Sequence, residues 1–197
     1  MSSEALHEAD LAPDPLEQFR AWFEEAKDVE GTPEAMALAT AGPSVRMVLL
    51  KGADERGFTF YTGYASRKAA ELEHDPRAAL LFYWGPLGRQ VRIEGPVERV
   101  PPEESDAYFA TRPRGAQLAA AASQQSAVLS SRAELEERVA ELAAEHEEGD
   151  VPRPAHWGGY RLEPETYEFW QHRDDRMHDR FRYRRDGEGW IVERLSP

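Results

Sequence analysis

From Ala35 onward the apolar residues of this chain recur with a period of two, in short runs closed by glycine and proline. The runs are MALAT (36–40), SVRMVLLK (44–51), GFTFYT (57–62), AALLFYW (78–84), RQVRIEGPVERV (89–100), YRLEPETYEFWQ (160–171), RFRYRR (180–185) and GWIVERL (189–195). A period of two sends alternate side chains to opposite faces of a strand, so each run can bury one face and wet the other. Gly42-Pro43, Asp54 to Gly57, Gly85 to Gly88 and Asp186 to Gly189 supply the turns. The strand–helix–strand alternation of a parallel sheet is missing, which leaves hairpin order. Seven or eight short strands in that order predict a mainly β fold, an antiparallel barrel with helices at its periphery.

The helical segments are fewer. Asp14-Pro15 is a helix start, a capping side chain followed by proline at the first position. Leu16, Phe19, Trp22, Phe23 and Ala26 then repeat at helical spacing as one stripe. Ser66 caps a short helix that stops near Pro76. Further helices are expected at about 103–110, 115–122 and 131–147, the last with Leu135, Val139 and Leu142 facing inward. Residues 1–13 read as a flexible acidic tail and 14–197 as a single domain, with no internal repeat and no linker. Twenty aromatic residues in 197 supply one sizeable core. No apolar run approaches the ~18 residues of a membrane span. The acidic N-terminus lacks the apolar stretch of a signal peptide, and there is no cysteine. The expectation is a cytoplasmic protein.

The net charge is −13, and it is unevenly placed. Residues 1–40 carry ten acids against two bases, and residues 131–150 eight against two, so the remainder is nearly balanced. The densest basic run, HRDDRMHDRFRYRR (172–185), has six arginines against three aspartates. Such a chain is a poor general binder of nucleic acid. The glycine-rich dinucleotide and phosphate loops and the GxSxG nucleophile turn are absent. The six histidines form no recognised metal pair, so no metal is expected.

Three places look chemical. Arg46 and Lys51 bracket an apolar strand at an odd offset, which points them to opposite faces. Tyr61-Thr62 leads through Ser66 into a helix start carrying Arg67 and Lys68. Hydroxyls, free backbone N–H groups and two cations there suit a phosphate. Arg176, His178 and Arg180 are spaced by two, on one face if the segment is extended. They repel one another unless an anion or a flat polar ligand lies against them, and Trp170 could wall that ligand.

These segments together resemble the pyridoxine/pyridoxamine 5′-phosphate oxidase family, FMN enzymes of the split β-barrel fold. The similarity runs from about Asp14 to Pro197. It rests on RMVLLK (46–51), FYTGYASRKAAELE (60–73), ALLFYW with RQVRIEG (79–95), YFATRPR (108–114), QQS (124–126), WGGYRL (157–162), EFWQ (168–171), RMHDRF (176–181) and the terminal ERLSP. The resemblance implies a homodimer with FMN between its subunits. It implies FMN contacts from Arg46, Lys51, Tyr61, Thr62, Arg67, Lys68, Gln90, Gln125, Ser126, Trp170 and Arg180, some from the partner chain, with Gln125 and Ser126 expected to cross the interface. The substrate phosphate would be held by Lys51, Tyr108 and Arg112, while Arg176 and His178 orient the pyridine ring as the catalytic pair. The implied reaction moves a hydride from C4′ of pyridoxamine or pyridoxine 5′-phosphate to N5 of FMN. Molecular oxygen then accepts the electrons, giving hydrogen peroxide and pyridoxal 5′-phosphate. Two alternatives share the fold: a flavin reductase with another substrate, and a non-catalytic carrier of FMN or pyridoxal phosphate. Three departures from the family pattern stand out. Ala116 replaces a serine, the N-terminus lacks an Arg and a Tyr used as a lid, and the hairpin between Thr40 and Arg46 is short.

Overall fold

The computed structural model describes residues 5–147 and 149–197. Ten strands and five helices follow one another in the order β1 (Ala35–Thr40), β2 (Ser44–Leu49), β3 (Gly52–Asp54), β4 (Gly57–Gly63), α2 (Arg67–His74), β5 (Arg77–Trp84), β6 (Arg89–Arg99), α3 (Pro102–Ala110), α4 (Arg114–Ala122), α5 (Arg132–Glu145), β7 (Trp157–Leu162), β8 (Thr166–Gln171), β9 (Asp179–Asp186) and β10 (Gly189–Arg194), with α1 (Pro15–Lys27) ahead of them. All pairings are antiparallel. One path runs β10-β9-β8-β6-β5-β1-β2, and a branch runs β6-β7-β4-β3.

Strand β6 belongs to both sheets. Residues 89–94 pair with β8, 89–96 with β5, and 97–99 with β7. At the transition, Gly95 lies under the connection from β7 to β8, whose Glu163 and Glu165 N–H groups donate to the Pro96 and Glu94 carbonyls at 2.9 Å each. A Cβ on Gly95 would fall 1.9 Å from the Glu163 carbonyl oxygen, so only glycine fits.

The core fills the space between the two sheets. Phe58 and Phe60 from β4, Leu80, Phe82 and Trp84 from β5, Val91 and Ile93 from β6, and Phe169, Phe181 and Tyr183 from β8 and β9 are buried together. Helix α1 closes this space, with the Asp14 carboxylate accepting from the Leu16 N–H at 2.8 Å. Its stripe of Leu16, Phe19, Trp22 and Ala26 is buried. Phe19 meets Phe58 edge-on at 4.9 Å, and Trp22 meets Phe169 at 5.3 Å. Replacing a ring in such a cluster by alanine costs about 3–5 kcal/mol. Helices α3 and α4 pack a smaller cluster of Phe109, Leu118, Val151 and Trp157, with Val139 and Leu142 of α5 against it.

The structure departs from the sequence reading in four places. Residues 5–13 are not a loose tail: Leu6 is 8% exposed and belongs to the core cluster. Its N–H donates to Asp179 at 3.1 Å, and the Glu8 carboxylate receives Arg194 at 2.8 Å. One buried leucine and one ion pair were too small a signal for periodicity; residues 1–4 lie outside the described residues. The run 160–171 is two strands, because Pro164 interrupts the hydrogen-bond ladder. Gly52–Asp54 forms a three-residue strand where only a turn was expected. The 172–178 segment is not extended. Its Arg176 N–H turns back to the Arg173 carbonyl at 3.1 Å with φ of 64°, so Arg176 leaves the register of His178 and Arg180.

The outer face of the β2-β1-β5 half is apolar and exposed. Met47 is 65% exposed, and Val45, Leu49, Leu81 and Tyr83 accompany it, with the alanines of β1 between them. The other half of that face, on β6, β8, β9 and β10, is charged.

Candidate active site

A cavity of about 340 Å³ opens between β2, β4 and the α3–α4 corner. Its walls include Lys51, Tyr61, Thr62, Lys68, Tyr108, Arg112 and Gln125, seven of the residues singled out in the sequence, together with Met47, Leu49 and Trp157. Long-range pairing does this. Strand β4 ends at Tyr61-Thr62-Gly63, and α2 starts four residues later with the Ser66 hydroxyl capping Ala69. That turn aims Lys68 back at the strand end.

Lys68 is buried, 9% exposed, yet no carboxylate lies within ion-pair distance among the described residues. Its Nζ donates to Thr62 Oγ1 at 3.0 Å, Gln125 Oε1 at 3.1 Å and Ser66 Oγ at 3.3 Å. Burial first, then the nearby Arg46 charge, lowers its pKa. Gln125 Oε1 also accepts from the Thr62 hydroxyl at 2.8 Å and the Gly63 N–H at 3.2 Å. The Arg67 N–H donates to Ser126 Oγ at 3.3 Å. Gln125 and Ser126 therefore meet Lys68 and the start of α2 within one chain. Ser126 has a φ of 74°, a left-handed conformation that costs a non-glycine residue about 1–3 kcal/mol and recurs at functional sites.

Arg46 does not line the cavity. It donates to Glu71 and Thr40 at 2.6 Å each. Glu71 also takes Arg67 at 2.8 Å. The Thr40 hydroxyl first, then the two guanidinium groups, holds the Glu71 carboxyl at about 2.

The second wall is aromatic. Tyr61 stacks on Tyr108 with centroids 4.0 Å apart and on Trp157 at 5.5 Å. Burial raises the Tyr61 phenol's pKa, so it stays neutral. Arg112 lies over Trp157 at 4.6 Å; its Nη1 is buried without a hydrogen-bond partner, and burial lowers its pKa. Trp157 went unnoticed as a site residue because WGG reads as a strand start. Ala116 sits in the first turn of α4 and does not line the cavity.

The remaining expected residues are elsewhere. Gln90, Trp170 and Arg180 form one row across β6, β8 and β9 on the outer face, three to five strands from β2, or about 14–24 Å at strand spacing. Arg180 is held there by Glu168 at 2.8 Å. His178 lies 4.6 Å from Trp170, and its Nδ1 accepts from the Arg173 N–H at 3.0 Å, which leaves the proton on Nε2 when the ring is neutral. Arg176 is exposed on the adjoining turn. One chain thus carries two separate groups of site residues. Among the described residues no cluster of acids and histidines could hold a metal ion, and no helix is long and apolar enough to cross a membrane.

The family model described as pyridoxamine 5′-phosphate oxidase matches residues 22–146, and that of the pyridoxine 5′-phosphate oxidase C-terminal dimerisation region matches 157–197. The chain belongs to the pyridoxamine 5′-phosphate oxidase family. It is an oxidase of that FMN-dependent family. A pyridoxine/pyridoxamine 5′-phosphate oxidase of Salinibacter ruber is 59% identical over 95% of this chain and 91% of its own. One from Rubrobacter xylanophilus is 58% identical over 98% and 91%. Among solved structures, PhzG from Burkholderia lata, in complex with tetrahydrophenazine-1-carboxylic acid, superposes with a TM-score of 0.92 at 34% identity over the whole of both chains. A Nostoc punctiforme FMN-binding protein shares the fold, with a TM-score of 0.74 at 17% identity over 93% of this chain and 98% of its own.

Proposed function

We propose that this protein oxidises pyridoxamine 5′-phosphate or pyridoxine 5′-phosphate to pyridoxal 5′-phosphate, working as a homodimer with FMN. The observation that carries the reading is one cavity in which buried Lys68 and the half-buried Arg112 have no carboxylate partner among the described residues, with Lys51 at its rim. Cations kept unpaired beside an aromatic wall fit ligands that combine a phosphate with a flat ring. FMN and the substrate both have that chemistry.

Lys68, Thr62 and Gln125, with Arg67 and Ser126 at the start of α2, are the groups that would hold FMN, and Arg46 stands behind them through Glu71. FMN held there would supply the two-electron acceptor for oxidation at C4′, with oxygen as the terminal oxidant and hydrogen peroxide as its product. Tyr108, Arg112 and Lys51 bind and fix the substrate phosphate. Arg176 and His178 bear on the pyridine ring; fixing it against the flavin is an orientation effect, which allows large rate losses without unfolding. Pairing supports the dimer. The apolar face of Val45, Met47, Leu49, Leu81 and Tyr83 borders the cavity through Met47 and Leu49, and covering it with a second copy would bring the Gln90–Trp170–Arg180 row toward the cavity of the first.

PhzG suggests another substrate for such a barrel. The ligand named in its structure bears a carboxylic acid and no phosphate, whereas the unpaired cations here favour a phosphate dianion.

Oxygen uptake with pyridoxamine 5′-phosphate tests the proposal. The purified protein is expected to be yellow and dimeric, with about one FMN per chain and hydrogen peroxide formed with turnover. Arg176→Ala or His178→Ala should lower kcat/KM while FMN stays bound. A flavin-loaded dimer that consumes no oxygen with either phosphorylated substrate would overturn it.

A further inference from the structure

We infer that Trp157 is a positioning residue, whose indole ring holds the Arg112 guanidinium in the orientation that receives the substrate phosphate. This rests on the proposed function and assigns a role to a residue that reading leaves unused. Arg112 is held unlike the arginines around it. Arg153, close by, binds Asp106 at 2.6 Å, and Arg161 binds Glu104 at 2.6 Å. The partners of Arg112 are rings: its guanidinium carbon lies 4.6 Å from the centre of Trp157 and 5.6 Å from that of Phe109.

The choice of a ring has a chemical consequence. A carboxylate would fix the guanidinium and also cancel its charge and occupy its N–H donors. An indole attracts the cation through its π face and accepts none of those donors in plane, so they stay directed toward an arriving oxyanion. The buried Arg112 Nη1 without a partner is the donor left over by that arrangement.

Trp157 is itself closely packed. It is 7% exposed, stacked on Tyr61 with planes 12° apart and met edge-on by Phe109 at 5.2 Å. Its carbonyl accepts from Arg153 Nη1 at 2.6 Å, and it pairs with Gly63 at the start of β7. The same sheet pairing that ends β4 at the cavity therefore places the ring under Arg112.

The test compares wild type, Trp157→Phe and Trp157→Leu holoenzymes. KM and kcat are measured with pyridoxamine 5′-phosphate, the competitive Ki with inorganic phosphate, and the flavin Kd by fluorescence titration. Trp157→Leu should raise KM and the phosphate Ki together by about 10–30-fold, the loss of a desolvated cation–π contact. kcat and the flavin Kd should stay within about threefold. Trp157→Phe keeps a ring and should recover all but about threefold. An unchanged KM in Trp157→Leu, or an equal fall in flavin binding and kcat, would overturn the inference. If Trp157→Leu does not fold, Trp157→Phe decides alone: KM and Ki must rise together with kcat unchanged. A wild type inactive on the phosphorylated substrate refutes the proposed function instead.

Discussion

Cations keep opposite company in two regions of this protein. In the C-terminal sheet they are neutralised side by side: Arg92 and Arg180 share Glu168, Arg182 and Arg184 share Glu193, and Arg194 spans Asp179 and Glu8. In the cavity Lys68 meets hydroxyls and an amide and Arg112 meets ring faces, while Lys51 stands exposed at the rim. The residue types are the same, so composition cannot separate the regions. What separates them is the partner. A buried cation without an acid is unfavourable for the fold by itself, and it fits a place where a ligand anion completes the pairing.

The largest expected effect comes from removing an unpaired cation. Lys68→Met should raise the Kd for FMN about 100-fold, since hydrogen bonds to a charged group are worth roughly 1.5–3 kcal/mol. The apoprotein should not lose stability in urea, because a desolvated charge disappears with the side chain. Destabilised apoprotein with normal flavin affinity would place Lys68 in the structural class.

Breaking the paired region should do the reverse. Glu168→Ala strips Arg92 and Arg180 of their shared acid, which is largely buried. We expect a loss of about 2 kcal/mol in denaturant unfolding of the apoprotein, less than the roughly 3–5 kcal/mol of a fully buried pair because Arg92 is half exposed. Equal midpoints for variant and wild type would show these pairs to be ornamental.

A conversion of one class into the other sharpens the comparison further. Gln125→Glu keeps the shape of the residue and gives Lys68 a carboxylate at the position of an oxygen now 3.1 Å away. Apoprotein stability should rise while flavin binding weakens about tenfold, since the phosphate must then displace an internal anion. Tighter flavin binding would contradict this account.

The smallest effect belongs to the exposed pair. The Arg194 hydrogen bond holds the Glu8 carboxyl at about 2, below its ordinary 4.5. A depressed carboxyl contributes stability above pH 4.5 and loses it as pH falls toward 2. Glu8→Gln should therefore lower Tm by at most about 1 °C at pH 7. The difference from wild type should vanish between pH 4.5 and 2. A gap that persists at pH 2 would mean that the variant acts through something other than the ionised Glu8 carboxylate.

Much of this arrangement is legible in the sequence, for identifiable reasons. The long strands announce themselves because each buries alternate residues, as Leu80, Phe82 and Trp84 do on β5. Strand β3 does not, since Gly52-Ala53-Asp54 has nothing to bury. Ser66, Arg67 and Lys68 are readable as an anion-facing helix start because capping and charge are local. Arg112 on Trp157 is not, because 45 residues separate them and only the packing of α3 on β7 brings them together. The spacing of Arg176, His178 and Arg180 misleads for a related reason: a turn anchored by Arg173 and Asp175 overrides the period of two.

The double membership of β6 sets the order in which the molecule opens. Its amides are bonded to β5 along one edge and to β8, then β7, along the other, so no peripheral motion bares them. In deuterated solvent they should exchange only through unfolding of the whole chain, while the edges at β2 and β10 exchange by local fraying. A strand that joins two sheets also joins their fates: the aromatic wall on β7 cannot loosen independently of the row on β6 and β8. The site residues carried on these strands are thus tied to one cooperative unit.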